Sequence, residues 1–158
     1  MESADTTLQE ARRAMAALLG RSAGSLPRVP GVLLGAGPSL SCVLPALEAP
    51  IKARHALALA APSVADALHR RRLPILTLAR LAEAPWSVRG ALTLEALGCN
   101  PIILAGFDLA FTDGLFCAAE HELHREWACE LGPFRTIENL HTAAVLSAPR
   151  FAKEVAIV

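Results

Sequence analysis

The chain has 158 residues, enough for one domain with a core that needs neither a disulfide nor a metal to fold. Apolar residues make up 53% of it and charged residues 19%, the composition of a buried sheet covered by Ala- and Leu-rich helices. Lys and Arg total 15, as do Asp and Glu, which excludes a global electrostatic attraction to nucleic acid or to an anionic membrane. A net charge of zero also favours self-association, for example as a homodimer.

The cysteines and the amino terminus indicate the compartment. Four cysteines are too few and too scattered for a secreted disulfide scaffold. The first ten residues, MESADTTLQE, lack the basic and apolar regions of a signal peptide, and no apolar run approaches the length of a membrane span. These features predict a soluble, cytoplasmic protein with reduced thiols.

The first predicted element is an amphipathic helix over residues 7–19, where Thr7 and Glu10 fit a capping box. Gly20 ends this helix, and a loop rich in Gly and Pro follows. We therefore expect an N-terminal helix and linker over residues 1–30. Residues 31–158 are expected to form the rest of a single Rossmann-like domain.

Strand and helix patterns then alternate along the chain. Short, continuous apolar runs, typical of parallel strands buried on both faces, lie at residues 31–35, 55–61, 73–79 and 100–106. Helices are predicted over residues 39–48, 62–72, 87–97, 115–130 and 137–148, and the final EVAIV is predicted to add an edge strand. The alternation predicts an α/β fold: a doubly wound, mostly parallel sheet of about 4–6 strands with helices on both faces.

The turn after the first predicted strand reads GAGPSL and consists of Gly35, Ala36, Gly37, Pro38, Ser39 and Leu40. Ligands of such sheets bind beyond the carboxyl ends of the strands. The two glycines permit a close approach to the main chain, and amides at the start of the next helix suit an anion. A P-loop would need a Lys here, and a dinucleotide loop would need Gly in place of Leu40, so NAD is not expected. The turn is either a nucleotide-phosphate site or a plain turn before a helix.

A second candidate segment, GCNPIILAGFDLAFTDG, covers residues 98–114. It places Gly106, Asp108 and Asp113 after a predicted strand, at the same sheet edge as the GAGPSL turn. The two carboxylates could hold Mg²⁺, accept a substrate N–H or hydroxyl, or act as a general base. They also fit plain structural roles, Asp108 as a cap and Asp113 in an Asp-Gly turn.

Two further segments are less specific. Cys117, His121 and His124 share one face of the predicted helix over residues 115–130, a spacing that suits zinc, although solvated or hydrogen-bonded histidines explain it as well. We therefore assign no metal to them. The arginines of HRRR, residues 69–72, are interpreted as the solvated end of a helix.

Three segments together resemble a known family: GAGPSL, then SVRGALTLEALGCNPIILAGFDLAFTDG, then TIENL. They are similar to the MptE-like domain, which occurs in archaeal 6-hydroxymethyl-7,8-dihydropterin diphosphokinases and in the Maf proteins of bacterial flagellin glycosylation. The resemblance covers roughly residues 31–145 and is most specific at 87–114. It implies a Rossmann-like domain that uses a nucleotide donor, Mg-ATP in the first group and a CMP-activated sugar acid in the second. The GAGPSL turn would meet the donor phosphates, and the loop of Asp108 would border donor or acceptor.

The chain also departs from the family pattern. The segment RRRLPILTLARLAEAPWSV contains no Asp, whereas the family usually has an acidic residue at the edge of the third strand, and the spacing between the motifs is short. Phe107 replaces the usual Gln, and Cys117 lies near the usual His. Two functions therefore stay open: a transferase that acts on a small-molecule nucleotide donor with Asp108 and Asp113 as catalytic residues, or a noncatalytic ligand-binding or accessory domain.

Overall fold

The computed structural model describes residues 2–78, 86–108, 117–130, 132–133 and 136. Its helices are α1 Glu2–Leu19, α2 Ser39–Lys52, α3 Pro62–Arg70, α4 Trp86–Leu97 and α5 His124–Glu130. Its strands are β1 Gly31–Leu34, β2 Leu57–Ala60, β3 Ile75–Leu76 and β4 Ile102–Ala105. Strands and helices alternate from β1 to β4, as the sequence predicts.

The four strands form one parallel sheet in the order β3-β2-β1-β4. Gly31 of β1 lies opposite Leu57 of β2 and Ile102 of β4. The chain moves outward from β1 through β2 to β3 and then returns across β1 to β4. The α/β Rossmann-like fold is thus confirmed, and β1 and β4 flank the point at which the strand order reverses.

Helices cover both faces of the sheet, which explains the continuous apolar pattern of β1. Val32 and Leu34 face α2 and α3 in the larger core cluster. Leu33, between them, packs on the opposite face with Leu94 and Leu97 of α4. Because successive side chains of a strand alternate between faces, a strand covered on both sides contains no polar position.

Helix α1 and its linker pack against α4. The Arg12 guanidinium lies 3.1 Å from the Glu95 carboxylate, and Gly24 N–H donates to the Ala96 carbonyl at 2.8 Å. Leu26 N–H donates to Leu97 O at 2.9 Å, so the linker satisfies carbonyls that the last turn of a helix leaves unpaired. Residues 20–30 are therefore part of the same packed unit as the sheet.

Helix α2 extends further than the sequence prediction of residues 39–48. It continues to Lys52 through Pro45 and Pro50, each of which removes a helical hydrogen bond. Buried Leu44 and Ile51 hold the helix on the sheet. Tertiary packing thus outweighs the local preference that predicted an earlier end.

Two other predictions are corrected. The helix predicted over 115–130 begins only at His124, and residues 117–123 form turns and bends. The strand predicted at 100–106 is not buried on both faces, since Ile103 and Leu104 are 40% and 60% exposed. The predicted helix 137–148 and the predicted edge strand at EVAIV lie outside the described residues. In the part of the chain that the structure describes, no helix is long and apolar enough to span a membrane.

Candidate functional site

The candidate site lies at the carboxyl ends of β1 and β4. Gly35 follows β1 directly and Gly106 follows β4 directly. In a doubly wound sheet, the crevice where the strand order reverses is the usual ligand position. The fold therefore brings the GAGPSL turn and the loop of Asp108 together at the edge that the sequence predicts.

Backbone hydrogen bonds join the two loops directly. Gly35 N–H donates to the Ala105 carbonyl at 2.7 Å, and Gly37 N–H donates to the Gly106 carbonyl at 2.8 Å. These bonds continue the pairing of β1 with β4 beyond the strands. The turn is therefore held by the neighbouring loop as well as by its own geometry.

The glycines of both loops are required by this close approach. A Cβ at Gly35 would overlap the Gly106 carbonyl, and a Cβ at Gly37 would overlap the Asp108 carboxylate. Gly106 itself has φ of 74°, a left-handed conformation that favours glycine. The sequence prediction assigns Gly35 and Gly37 to ligand approach, whereas in the structure they make room for the second loop.

Asp108 caps helix α2 from outside the helix. Its Oδ2 accepts the N–H of Ser39, the first helical residue, at 2.9 Å. Pro38 occupies the N-cap position and makes no side-chain cap hydrogen bond. A carboxylate is favourable there because the N-terminus of a helix carries partial positive charge. The sequence left a capping role open for Asp108, and in the structure Asp108 caps α2.

Most amides of the turn already have protein acceptors. Besides Gly35, Gly37 and Ser39, Leu40 N–H donates to the Gly37 carbonyl at 3.0 Å, and Pro38 has no N–H. An anion that approaches α2 thus meets the carboxylate of Asp108 at the Ser39 amide. A phosphate can enter this position only if Asp108 moves or if a cation lies between the two negative groups.

Among the described residues, the crevice offers a magnesium ion one carboxylate, that of Asp108. Mg²⁺ is commonly held by one or two carboxylates, substrate phosphates and water. Asp108 supplies one carboxylate, while Asp113 lies outside the described residues and stays a prediction. Among the residues that the structure describes, no three His, Cys, Asp or Glu side chains form a metal-binding group.

A short segment, residues 117–122, crosses the same sheet edge; we call it the strap. Ala118 is fully buried, and its N–H donates to the Ala36 carbonyl at 2.9 Å. At its far end Glu122 N–H donates to the carbonyl of Ser63, in the first turn of α3, at 3.0 Å. The strap therefore connects the GAGPSL turn with the start of α3.

Glu120 fixes the strap from a buried position that sequence reasoning missed. Its side chain is 4% exposed, and its two oxygens accept the Ser41 hydroxyl at 2.7 Å and the Arg71 guanidinium at 2.8 Å. Ser41 Oγ also accepts the N–H of Ala119 at 2.9 Å. The only indication of this network in the sequence was the basic helix end HRRR, which was interpreted as solvated. In the structure, Arg71 of this segment pairs specifically with Glu120.

Arg71 extends this network to the surface. Its second nitrogen lies 3.2 Å from the Glu48 carboxylate, which also pairs with Lys52 at 2.9 Å. Hydrogen bonds from Lys52 and then from Arg71 hold the pKa of Glu48 below its usual value. The network links α2, the end of α3 and the strap.

An open cleft of about 560 Å³ lies beside the strap, at the carboxyl ends of β2 and β3. It is lined by Pro62, Ser63, Ala65, Asp66, His69, Thr77, Leu78 and Glu122. Its polar lining contains carboxylates, hydroxyls and an imidazole. Apart from His69 of the HRRR segment, these residues belong to no motif found in the sequence, and the cleft was not predicted.

Cys117, His121 and His124 do not share one helix face as the sequence predicts, because residues 117–123 are not helical. Cys117 Sγ lies 4.0 Å from His124 Nδ1. Burial raises the pKa of the Cys117 thiol to about 11. His121 has a lowered pKa, mainly because burial disfavours the imidazolium, and its Nδ1 accepts the Leu123 N–H at 3.0 Å.

Two aromatic rings lie next to the joined loops. Trp86, at the start of α4, and Phe107 stack with centroids 6.2 Å apart and an angle of 8° between planes. The Phe107 ring also lies beside Gly35, where a Cβ would be 3.1 Å from Cε2. The aromatic pair therefore bounds the site on the α4 side.

Comparison of the chain with protein-family models, curated proteins and solved structures finds no match. The resemblance to the MptE-like domain therefore stays a hypothesis.

We predict that Gly35→Ala destabilises the protein by about 2–3 kcal/mol, because its Cβ would push the Gly106 carbonyl away and separate the loops. Urea unfolding measures the change. Gly132→Ala is the control, since no atom of the described residues lies within 4 Å of a Cβ there, and its effect should stay within about 0.5 kcal/mol. If the two substitutions lowered the free energy of unfolding equally, the close approach of the Gly35 and Gly106 loops would be contradicted.

Glu120→Ala should lower the free energy of unfolding by about 2 kcal/mol, because Ser41 and Arg71 lose their shared acceptor. Arg71 is partly exposed, which limits the loss. Glu122→Ala, on an exposed neighbour, should change stability by less than about 0.5 kcal/mol. Additive effects of Ser41→Ala and Glu120→Ala in a double-mutant cycle would show that the two side chains do not interact.

Thiol titration with a disulfide reagent at pH 8 should distinguish the cysteines. Cys42 and Cys129 are exposed and should react quickly in the native protein. Cys99 and Cys117 are buried with raised pKa values, so they should react only after unfolding in guanidinium. Fast native modification of Cys117, identified by mass spectrometry, would contradict its placement.

Proposed function

We propose that this chain binds a nucleotide-type phosphate ligand together with Mg²⁺ at the β1–β4 crevice, as a transferase that uses a nucleotide donor. The observation that carries the proposal is the position of Asp108. Its carboxylate lies at the N-terminus of α2, 2.9 Å from the Ser39 N–H, at the reversal of the strand order. A small-molecule site in this fold class is expected there.

Charge determines how such a ligand would bind. Two negative groups at one helix terminus repel each other, so a bare phosphate competes with Asp108 for the Ser39 amide. If Mg²⁺ were bound, the same carboxylate would be a ligand of the ion and would no longer oppose the phosphate. The ion would supply charge neutralisation at the phosphate, and Asp108 is the residue that would hold it. Obligatory dependence on a divalent cation follows from this arrangement.

The surroundings suit a nucleotide donor and a second substrate. The Trp86–Phe107 pair offers an aromatic wall beside the turn, of the kind on which heterocycles stack. The cleft next to Glu122 provides polar groups for an acceptor, and the strap connects it to the turn. The resemblance to the MptE-like domain supports the same class, either diphosphokinase-like or Maf-like.

A second function is favoured by one specific observation. Asp108 already serves as a cap for α2, and Gly37 makes room for its carboxylate. A chain that uses this residue structurally fits a noncatalytic domain that binds a small anionic ligand as a sensor or accessory subunit. Such a domain would bind without Mg²⁺, once Asp108 moves aside.

Thermal unfolding with ATP, GTP, CMP and CDP, each with and without Mg²⁺, separates the two functions. A ligand at 100 times its Kd should raise the Tm by about 5–10 °C. The transferase site predicts a rise only with Mg²⁺, and a loss of that rise in Asp108→Asn. Glu95→Gln is the control, because Glu95 lies on α4 beside Arg12 of α1, outside both the crevice and the cleft, and should leave the rise unchanged.

The other outcomes decide against the proposal. A rise without Mg²⁺ that grows in Asp108→Asn would support the noncatalytic function, because removal of the charge favours a bare anion. Flat unfolding curves for every nucleotide in both conditions would contradict the transferase that uses a nucleotide donor.

A further inference from the structure

Three arginines share a backbone conformation that arginine rarely adopts. Arg28, Arg54 and Arg72 have φ of 66°, 58° and 59°, and within the described residues they are the only residues other than glycine with a positive φ. This left-handed conformation is costly for a residue with a Cβ. Arg54 and Arg72 occupy the position just after the end of α2 and of α3, where glycine usually stands.

A preference of the fold for cations explains only part of this pattern. The C-terminus of a helix carries partial negative charge, which suits the arginines that follow α2 and α3. Arg28 lies in a turn of the linker, after residues that are not helical. A common role in binding explains all three arginines.

The three arginines lie along the amino edge of the sheet, where the strands begin; we call them the arginine row. Each lies three residues before a strand: Arg28 before β1, Arg54 before β2 and Arg72 before β3. The register of β1 with β2 places Arg28 and Arg54 at equivalent positions, and the register of β2 with β3 places Arg72 one residue further along. Neighbouring strands lie about 4.8 Å apart, so three strands give a row about 10 Å long.

The arginine row carries positive charge that the described residues do not neutralise. Its three side chains are exposed, and no described carboxylate forms an ion pair with them. Lys52, Arg70 and Arg71 are exposed beside the row, and Lys52 and Arg71 share the Glu48 carboxylate at 2.9 and 3.2 Å. These cations together outnumber the carboxylates that pair with them, Glu48 and Glu120.

The remaining sequence has no surplus of acid for the row. Outside the described residues the chain contains four basic and four acidic side chains, so these segments carry no net charge. They are Arg80, Arg135, Arg150 and Lys153, and Glu83, Asp113, Glu138 and Glu154. The complementary negative charge is therefore expected on another molecule.

We propose that the arginine row binds an extended acidic segment of a partner protein, with its carboxylates along the amino edge of the sheet. Guanidinium groups match carboxylates with two parallel hydrogen bonds, and carboxylates are what Arg71 beside the row already binds, at Glu48 and Glu120. In an extended peptide, side chains two residues apart lie on the same side, about 6.8 Å from each other. Two or three such carboxylates span the row.

The surroundings of the row disfavour larger polyanions. Single-stranded nucleic acid is held by aromatic rings on which its bases stack, and the described aromatic pair, Trp86 and Phe107, lies at the opposite edge of the sheet. A nucleic-acid duplex or an anionic membrane contacts a wider charged surface. Strand β4 brings no cation to this edge, since residues 98–101 read GCNP.

Fluorescence anisotropy with a labelled peptide of about 12 glutamates, on the full chain in about 50 mM salt, tests the row. The wild type should bind, and binding should weaken as salt rises. Joint replacement of Arg28, Arg54 and Arg72 by glycine should weaken binding by roughly 30-fold, because three exposed charge pairs are lost. The Tm should change little, because glycine adopts the left-handed conformation readily. Arg125→Gln is the control: Arg125 is exposed on α5, which follows the strap at the opposite edge, and its affinity should equal that of the wild type.

Amide NMR of the wild type during titration with the same peptide gives a test that needs no variant. The amides of Arg28, Arg54 and Arg72 should shift and saturate together. Shifts confined to other residues, an absence of binding in about 50 mM salt, or a triple variant that binds as tightly as the wild type would each overturn the proposal. Tighter binding of duplex DNA or of phosphatidylserine vesicles than of the peptide would also overturn it, in favour of that class of partner.

Discussion

The hydrogen bond from the Ser39 amide to the Asp108 carboxylate connects the two halves of the site. Asp108 follows β4, and Ser39 begins the helix that follows β1, so one contact fixes both loops at the reversal of the sheet. The glycines at 35, 37 and 106 allow the backbones to approach closely enough for it. The strap and the Glu120 network then pack against the turn and helix that this contact positions.

The same contact determines what the site can bind. A carboxylate at a helix N-terminus satisfies the electrostatic preference of that terminus, and it excludes a bare anion from the same amide. Under the proposed function, a divalent cation held by Asp108 would reverse this effect, because the carboxylate and a phosphate would then both be ligands of one positive ion. Asp108 would act as a helix cap without the cation and as a cation ligand with it.

Much of the fold was predictable, because continuous apolar runs such as GVLL are typical of parallel strands that are buried on both faces. The contact between the GAGPSL turn and the GFD loop, residues 106–108, was also predictable, since the carboxyl ends of neighbouring parallel strands lie at the same edge of the sheet. The Asp108–Ser39 bond was predictable only as one of several roles for that carboxylate. The partners of Glu120 were not predictable, because Ser41 and Arg71 lie 79 and 49 residues from it in sequence. Local periodicity also misassigned residues 117–123, where tertiary contacts of the strap replace a helix.

The most direct test follows the backbone amide of Ser39 by NMR during titration with Mg-nucleotide. If Asp108 holds the entering ligand, the Ser39, Gly106 and Asp108 resonances should shift and saturate together, only with Mg²⁺, and Asp108→Asn should abolish these shifts. Shifts confined to the cleft of Asp66 and Glu122, or an unchanged Ser39 amide in a nucleotide-saturated protein, would contradict the account.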